Sequence, residues 1–185
     1  MLILASKSPR RKELLSLITS DFEIIPAQND EIADPSLSPD KFVAALATEK
    51  AEEIAALYPE DVVIGSDTVV SAKGEILGKP KDKADAFRML SLLSGTEHSV
   101  FTGVAVIKNG EIHCFTEETK VKFFDLDEYE IERYIATGEP FDKAGAYGIQ
   151  DLGALLVEGI SGDYYNVMGL PAGRLSRLLK ELKII

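Results

Sequence analysis

Leu2-Ile-Leu-Ala-Ser-Lys-Ser-Pro-Arg-Arg-Lys12 reads as a short apolar strand, a polar turn and the opening of a helix. Ser8 is placed to cap that helix and Pro9 to take its first position, where the N–H that proline lacks would have had no intrahelical partner. Arg10, Arg11 and Lys12 then fall in the first turn, where each cation opposes the helix dipole by about 0.3–1 kcal/mol. Either this is a solvated basic helix start that tolerates the cost, or an anion normally sits there. Backbone N–H groups and dipole at a helix N-terminus suit phosphate, and Ser6, Lys7, Ser8 and the arginines would add donors. The apolar strand before the turn buries its base, which favours the anion site.

Outward from this stretch, the 185 residues are the length of one domain, and at 45% hydrophobic content they can bury a real core. The net charge of −11 argues against a nucleic-acid partner or an anionic membrane surface, since both call for a broad positive field. Against that background the cations between Lys7 and Lys12 stand out. The single cysteine, Cys114, excludes an internal disulfide, and its strand neighbour His113 points to the opposite face. His113 and His98 both lie in strand-like runs and read as surface or packed residues. The apolar run before Ser6 is too short for a signal-peptide core, and none approaches the ~20 residues of a membrane span. A cytoplasmic, reducing location is the default expectation.

Leu14, Leu15, Leu17 and Ile18 give the first helix an apolar stripe, and Phe22 to Ile25 reads as a second strand. Pro26 to Pro39 is a long polar loop carrying Asp30, Glu31 and Asp34, whose meaning depends on what faces them. Ser38-Pro39 opens a second helix running to about Leu57, with Val43, Leu46, Ile54 and Leu57 as its buried stripe. Steps of three or four along that stripe land on Lys50. Its ammonium either snorkels past the core edge or is aimed at an interior anionic ligand.

Val62-Val-Ile-Gly65 reads as a strand buried on both faces that ends in Ser66-Asp67-Thr68, and ligands gather at the carboxyl ends of such strands. Asp67 is therefore placed where chemistry is done. Gly78-Lys79-Pro80 is expected to hold Lys79 on a tight, close-approach turn. Asp82 and Asp127 are the caps of a third and a fourth helix, ended by Ser94-Gly95 and Gly138. Between them, Glu97 to Phe124 reads as a hairpin turned by Asn109-Gly110. Glu139 to Gly169 is glycine-rich, and Lys143, Tyr147 and Gln150 lie where backbone folds closely around a ligand or merely makes a tight loop. Pro171 opens the last helix, with Leu175, Leu178, Leu179 and Leu182 facing a core.

An anion-binding helix start, inward or tightly held lysines, and carboxylates at Asp67 and Glu31 equip the chain for metal-assisted attack of water on a polyphosphate. Mg²⁺ or Mn²⁺ takes one or two carboxylates plus phosphate oxygens and needs no histidine. The sequence contains no Gly-x-x-x-x-Gly-Lys-Ser/Thr loop, Gly-x-Gly-x-x-Gly fingerprint or Gly-x-Ser-x-Gly elbow.

Together, Ala5-Ser-Lys-Ser-Pro-Arg-Arg11, Glu49-Lys-Ala51, Gly65-Ser-Asp-Thr68, Gly78-Lys-Pro80, Ser94-Gly95 with His98-Ser99, Asp142-Lys-Ala-Gly-Ala-Tyr-Gly-Ile-Gln150, and Gly162-Asp-Tyr164 with Val167-Met-Gly-Leu-Pro171 closely resemble the Maf proteins. These form a nucleoside triphosphate pyrophosphatase family first associated with septum formation. The blocks span nearly the whole chain, so the resemblance covers a single domain, 1–185. It implies an α/β fold: a mixed twisted sheet flanked by helices, two lobes around a cleft, like the inosine triphosphate pyrophosphatases. It implies hydrolysis between the α and β phosphates with a divalent metal, Mg²⁺ or Mn²⁺, by a homodimer. Carried over by motif, Asp67 is the proton acceptor, Glu31 its acidic or metal-site partner, and Lys50, Lys79 and Arg11 face phosphate. Ser6, Ser8 and Lys143 complete the expected substrate contacts. Arginine, threonine and glutamine at Arg10, Thr68 and Gln150 resemble the members that hydrolyse dTTP and UTP. A glutamine amide can meet adjacent groups on the acceptor–donor–acceptor edge of uracil or thymine. A nucleotide-binding regulator of cell division, with hydrolysis incidental, is the alternative reading, which an intact Asp67 disfavours.

Overall fold

The computed structural model describes residues 1–28 and 34–185, so Asp30 and Glu31 lie outside the described residues. The chain begins with β1 (Leu2–Leu4) and α1 (Pro9–Ser16), where the Ser8 side chain accepts the Arg11 backbone N–H at 3.4 Å and Pro9 sits in the first turn, as read. The next strand, β2 (Glu23–Ile24), is shorter than the expected Phe22–Ile25 and both its residues are exposed. Helix α2 (Pro39–Leu57) follows, preceded by Ser38, whose side chain makes no capping bond. Two expected stripe residues are not buried: Leu17 caps the end of α1 at 68% exposure, and Leu57 closes α2 at 69%. Each helix ends there, and its last apolar residue has run past the core.

Strand β3 (Val62–Ala72) runs straight through Ser66-Asp67-Thr68, so Asp67 sits inside a strand and not at its end. The parallel pairing of β3 with β1, Leu2 to Val62 through Leu4 to Ile64, does stop just before it. Lys73 and Gly74, both at positive φ, turn the chain into β4 (Glu75–Leu77), antiparallel to β3. Helix α3 (Lys83–Leu93) is capped by Asp82, which accepts Asp85 N–H at 2.8 Å. The hairpin β5 (Glu97–Lys108) and β6 (Glu111–Phe123) turns at Asn109 and Gly110, φ 51° and 78°. Asp127 and Glu130 form a reciprocal capping box on α4 (Glu128–Ala136). Short 3₁₀ turns then lead to β7 (Val157–Ser161) and α5 (Tyr164–Met168), neither of them foreseen within the glycine-rich stretch. Helix α6 (Ala172–Glu181) buries Leu175 and Leu179.

The strands form one seven-stranded mixed sheet in the order β2-β1-β3-β5-β6-β7, with β4 on β3. The chain divides into two compact units: Met1–Asp67, Thr102–Glu117 and Gly169–Ile185 in the first, Thr68–Phe101 and Glu118–Met168 in the second. The core of the first gathers Ile3, Ala5, Ala47, Ala51, Ile54, Val63 and Ala105. That of the second gathers Val70, Leu90, Leu93, Val121, Phe123, Ile131 and Tyr147 among others. No helix among the described residues is long and apolar enough to cross a membrane.

Candidate active site

Two glycines bring α2 down onto the sheet of the first unit. A Cβ on Gly65 would stand 2.1 Å from the Ala47 carbonyl oxygen, and one on Gly103 would stand 2.3 Å from that of Val43. The helix backbone therefore rests where two strands carry no side chain. Asp67 lies two residues beyond Gly65, on the same face of β3, and Lys50 lies three residues beyond Ala47 on α2. Close packing of helix on strand thus delivers the ammonium to the carboxylate, Nζ to Oδ1 at 2.6 Å, with side-chain exposures of 17% and 12%. Lys50 therefore does not snorkel past the core edge but turns inward onto the Asp67 carboxylate. Stripping one partner from a pair this shielded costs about 3–5 kcal/mol.

The helix start gathers around Ser6. Its hydroxyl oxygen accepts the Ser8 N–H at 3.2 Å and Arg11 Nη1 at 3.4 Å, which occupies both lone pairs and leaves the O–H as its donor. Arg11 also donates from Nε to the Gly169 carbonyl at 2.8 Å, and the buried Ser66 hydroxyl donates to the same oxygen at 3.2 Å. Ser66 is the residue before Asp67. Ser6, Ser8, Arg11, Lys50 and Asp67 are thus joined by contacts within the first unit, while Arg10 stands half-buried in the first turn of α1.

Thr68, Lys79, Lys143 and Gln150 belong to the second unit. Thr68 follows Asp67 on β3 and so faces the other side of the strand. Lys79 is exposed, and Gly78 has neither positive φ nor any atom within 4 Å of a built Cβ, so the expected close-approach turn is not there. Gly145 instead donates its N–H to the Gly78 carbonyl at 3.0 Å, which ties this turn to the segment carrying Lys143. Lys143 Nζ bonds the Glu139 carbonyl at 2.8 Å and Asp142 Oδ1 at 2.7 Å. Its stem lies over Gly148, where a Cβ would come within 2.6 Å of Lys143 Cε. Gly148 N–H bonds the Tyr134 hydroxyl at 3.1 Å, and burial pushes that phenol's pKa up. Gln150 is half-buried, just before the turn Asp151–Leu156. Two residues named separately from the sequence pair to anchor this segment: Tyr147 Oη and His98 Nε2 lie 2.7 Å apart. The Ser66–Gly169 contact spans 103 residues and leaves no trace in local spacing.

Among the described residues no three His, Cys, Asp or Glu side chains gather to hold a metal ion. They form no all-protein cage, and Asp67 offers a single carboxylate with Oδ1 held by Lys50. That donor set suits a hard cation carried largely by phosphate oxygens.

A dTTP/UTP pyrophosphatase of Bacillus cytotoxicus is 51% identical over 97% of this chain and 94% of its own length. One from Geobacillus sp. (strain WCH70) is 53% identical over 98% and 97%. Among solved structures, the Staphylococcus aureus Ham1 protein aligns with a TM-score of 0.56 at 17% identity, covering 97% of this chain and 98% of that one. A HAM1 protein from Coxiella burnetii gives 0.55 at 15% identity with the same coverage. These share the fold, a mixed sheet flanked by helices. The profile of the family described as Maf-like protein matches residues 1–182, and the chain belongs to that family.

Proposed function

We propose that this protein is a nucleoside triphosphate pyrophosphatase that hydrolyses dTTP and UTP, and modified pyrimidine nucleotides with the same base edge, to the monophosphate and pyrophosphate. The observation that carries the reading is the linkage of Asp67, Lys50, Arg11 and Ser6 at a helix start preceded by a strand. Relatives about half identical in sequence, bearing the name dTTP/UTP pyrophosphatase, support it. In the reaction, a water oxygen bonds to the α-phosphorus while Asp67 takes its proton, and the bond from that phosphorus to the bridging oxygen breaks. Lys50 orients the carboxylate that receives the proton. Arg11, with the Ser6 hydroxyl, Ser8 and the N–H groups of α1, binds phosphate oxygens and offsets the charge that builds on them. Lys79 and Lys143 are further phosphate ligands in this reading, and Arg10, Thr68 and Gln150 select the base.

Asp67, with Glu31, would hold a divalent cation, Mg²⁺ or Mn²⁺, alongside phosphate oxygens. Bound there, the cation supplies positive charge to the phosphates. In this proposal the enzyme is a homodimer, which sedimentation velocity tests. We place the enzyme in the cytoplasm, where its nucleotide substrates are.

Pyrophosphate release from a panel of triphosphates, with Mg²⁺ or Mn²⁺, tests the activity. dTTP and UTP should lead, and comparable turnover of 7-methyl-GTP, a purine nucleotide that lacks the pyrimidine edge, would sink the base assignment. Asp67→Asn should retain nucleotide binding and lose about 10²–10⁴-fold in kcat. Unimpaired turnover in that variant would remove Asp67 as the proton acceptor.

A further inference from the structure

Val167-Met-Gly-Leu-Pro171 has no task in the mechanism above, yet its glycine touches the proposed phosphate site. Gly169 adopts φ 113°, a conformation L side chains rarely take, so the backbone there is one that glycine holds without strain. Its carbonyl oxygen lies 2.8 Å from Arg11 Nε and 3.2 Å from Ser66 Oγ, and Ser66 is wholly buried beside Asp67. A carbonyl aimed by its own backbone and tied by a buried hydroxyl is a fixed acceptor.

We propose that Gly169 and Ser66 are positioning residues that hold the Arg11 guanidinium by its Nε–H and so fix the plane it presents to the substrate phosphate. This rests on the phosphate-binding role proposed for Arg11. A guanidinium is a planar fork that can offer an anion either of two edges containing Nη2, one shared with Nε and one with Nη1. With Nε–H committed to Gly169, the first edge is spent, and the bond from Nη1 to Ser6 Oγ sets the tilt of the plane. The arginine is oriented before any ligand arrives, so less freedom is lost when phosphate binds. The same two contacts connect the helix start to the residue next to Asp67, so the anion donors and the proton acceptor share one rigid frame.

The test is a double-mutant cycle. Measure kcat and KM for dTTP in wild type, Ser66→Ala, Gly169→Ala and Arg11→Ala, and in each positioning variant combined with Arg11→Ala. The single positioning variants should raise KM about tenfold, as befits a loosened charge-assisted contact. In the Arg11→Ala background each should change kcat/KM by less than about twofold. Equal fold-changes in both backgrounds would overturn the proposal, because the residues would then act on Asp67 or on the fold. An arm independent of turnover follows the Arg11 Nε–H signal by NMR, assigned through its loss in Arg11→Ala. Its protection from solvent exchange should be lost in Gly169→Ala and weakened in Ser66→Ala, and unchanged protection in both would also overturn the proposal. If Gly169→Ala does not fold, Ser66→Ala decides both arms. A wild type that turns over neither dTTP nor UTP, with Nε–H protection still dependent on Gly169 and Ser66, would overturn the substrate and uphold the positioning.

Discussion

His98 shows what burial does to a single titratable side chain. It is 3% exposed, its ring meets Phe123 and Tyr147 edge to face at 5.0 and 5.4 Å, and Nε2 is bonded to the Tyr147 hydroxyl. Desolvation lowers its pKa from 6.5 to about 4. The unfolded chain therefore takes up a proton near 6.5 that the folded chain refuses until about 4, and between those values stability falls as the pH is lowered. The shift corresponds to a loss of about 2 kcal/mol from pH 7 to pH 5. Urea denaturation at the two pH values reads it directly. His98→Gln keeps a polar partner for Tyr147 and removes the titration, so its stability should be less pH-dependent by about that amount. An unchanged pH dependence would assign the acid sensitivity to other groups. The Lys50–Asp67 pair is the contrasting residue-scale case, a charged couple held in place because each partner compensates the other.

At the level of elements, the seating of α2 on the sheet decides whether that couple exists. Gly65→Ala would drive a methyl into the Ala47 carbonyl, and since the obstacle is helix backbone, the helix has to move. Overpacking of this kind costs about 1–3 kcal/mol. Lys50 should retreat from Asp67 with it, so kcat/KM for dTTP should fall at least about tenfold even at temperatures where the variant is fully folded. Unaltered kinetics in a destabilised variant would separate the helix seat from the chemistry. The elements themselves were largely readable because their signals are local. Ser8-Pro9, Asp82, Asp127 and Asn109-Gly110 mark ends within a few residues of the backbone groups they satisfy. Two strands were misread for a physical reason. Strand β3 carries polar residues at its centre, where Asp67 pairs with Lys50, and polarity inside an apolar run looks like a strand end. Strand β7 is stabilised by its ladder to β6, and four of its five residues are exposed, so it lacks the apolar alternation by which strands are found. That Lys50 turns inward from α2 was legible from its place on the apolar stripe. That Arg11 is tethered to a carbonyl 158 residues away was not.

For the whole molecule the relevant quantity is net charge, 31 acidic against 20 basic residues, −11 in all. Neither compact unit is one continuous stretch of chain, so this charge cannot be divided by cutting the protein in two. Self-repulsion of like charges destabilises the folded state, and salt screens it, shortening the Debye length from about 30 Å at 10 mM to about 8 Å at 150 mM. Salt also weakens the exposed ion pairs Arg88–Glu75, Lys122–Glu158 and Arg174–Glu117. Pairs of that kind contribute about 0–1 kcal/mol each, with the median low, so the repulsion of the excess carboxylates should dominate. Thermal stability should therefore rise between those two concentrations of sodium chloride. An increase of about 2–4 °C in Tm would correspond to about 1 kcal/mol for a chain of this length. Sodium chloride is the salt to use, because sulfate or phosphate bound at the Ser8–Arg11 helix start would add stability by mass action and mask the screening. A Tm that falls with chloride would mean that attraction among the exposed pairs outweighs the net repulsion, and that the excess carboxylates are spaced widely enough to ignore one another.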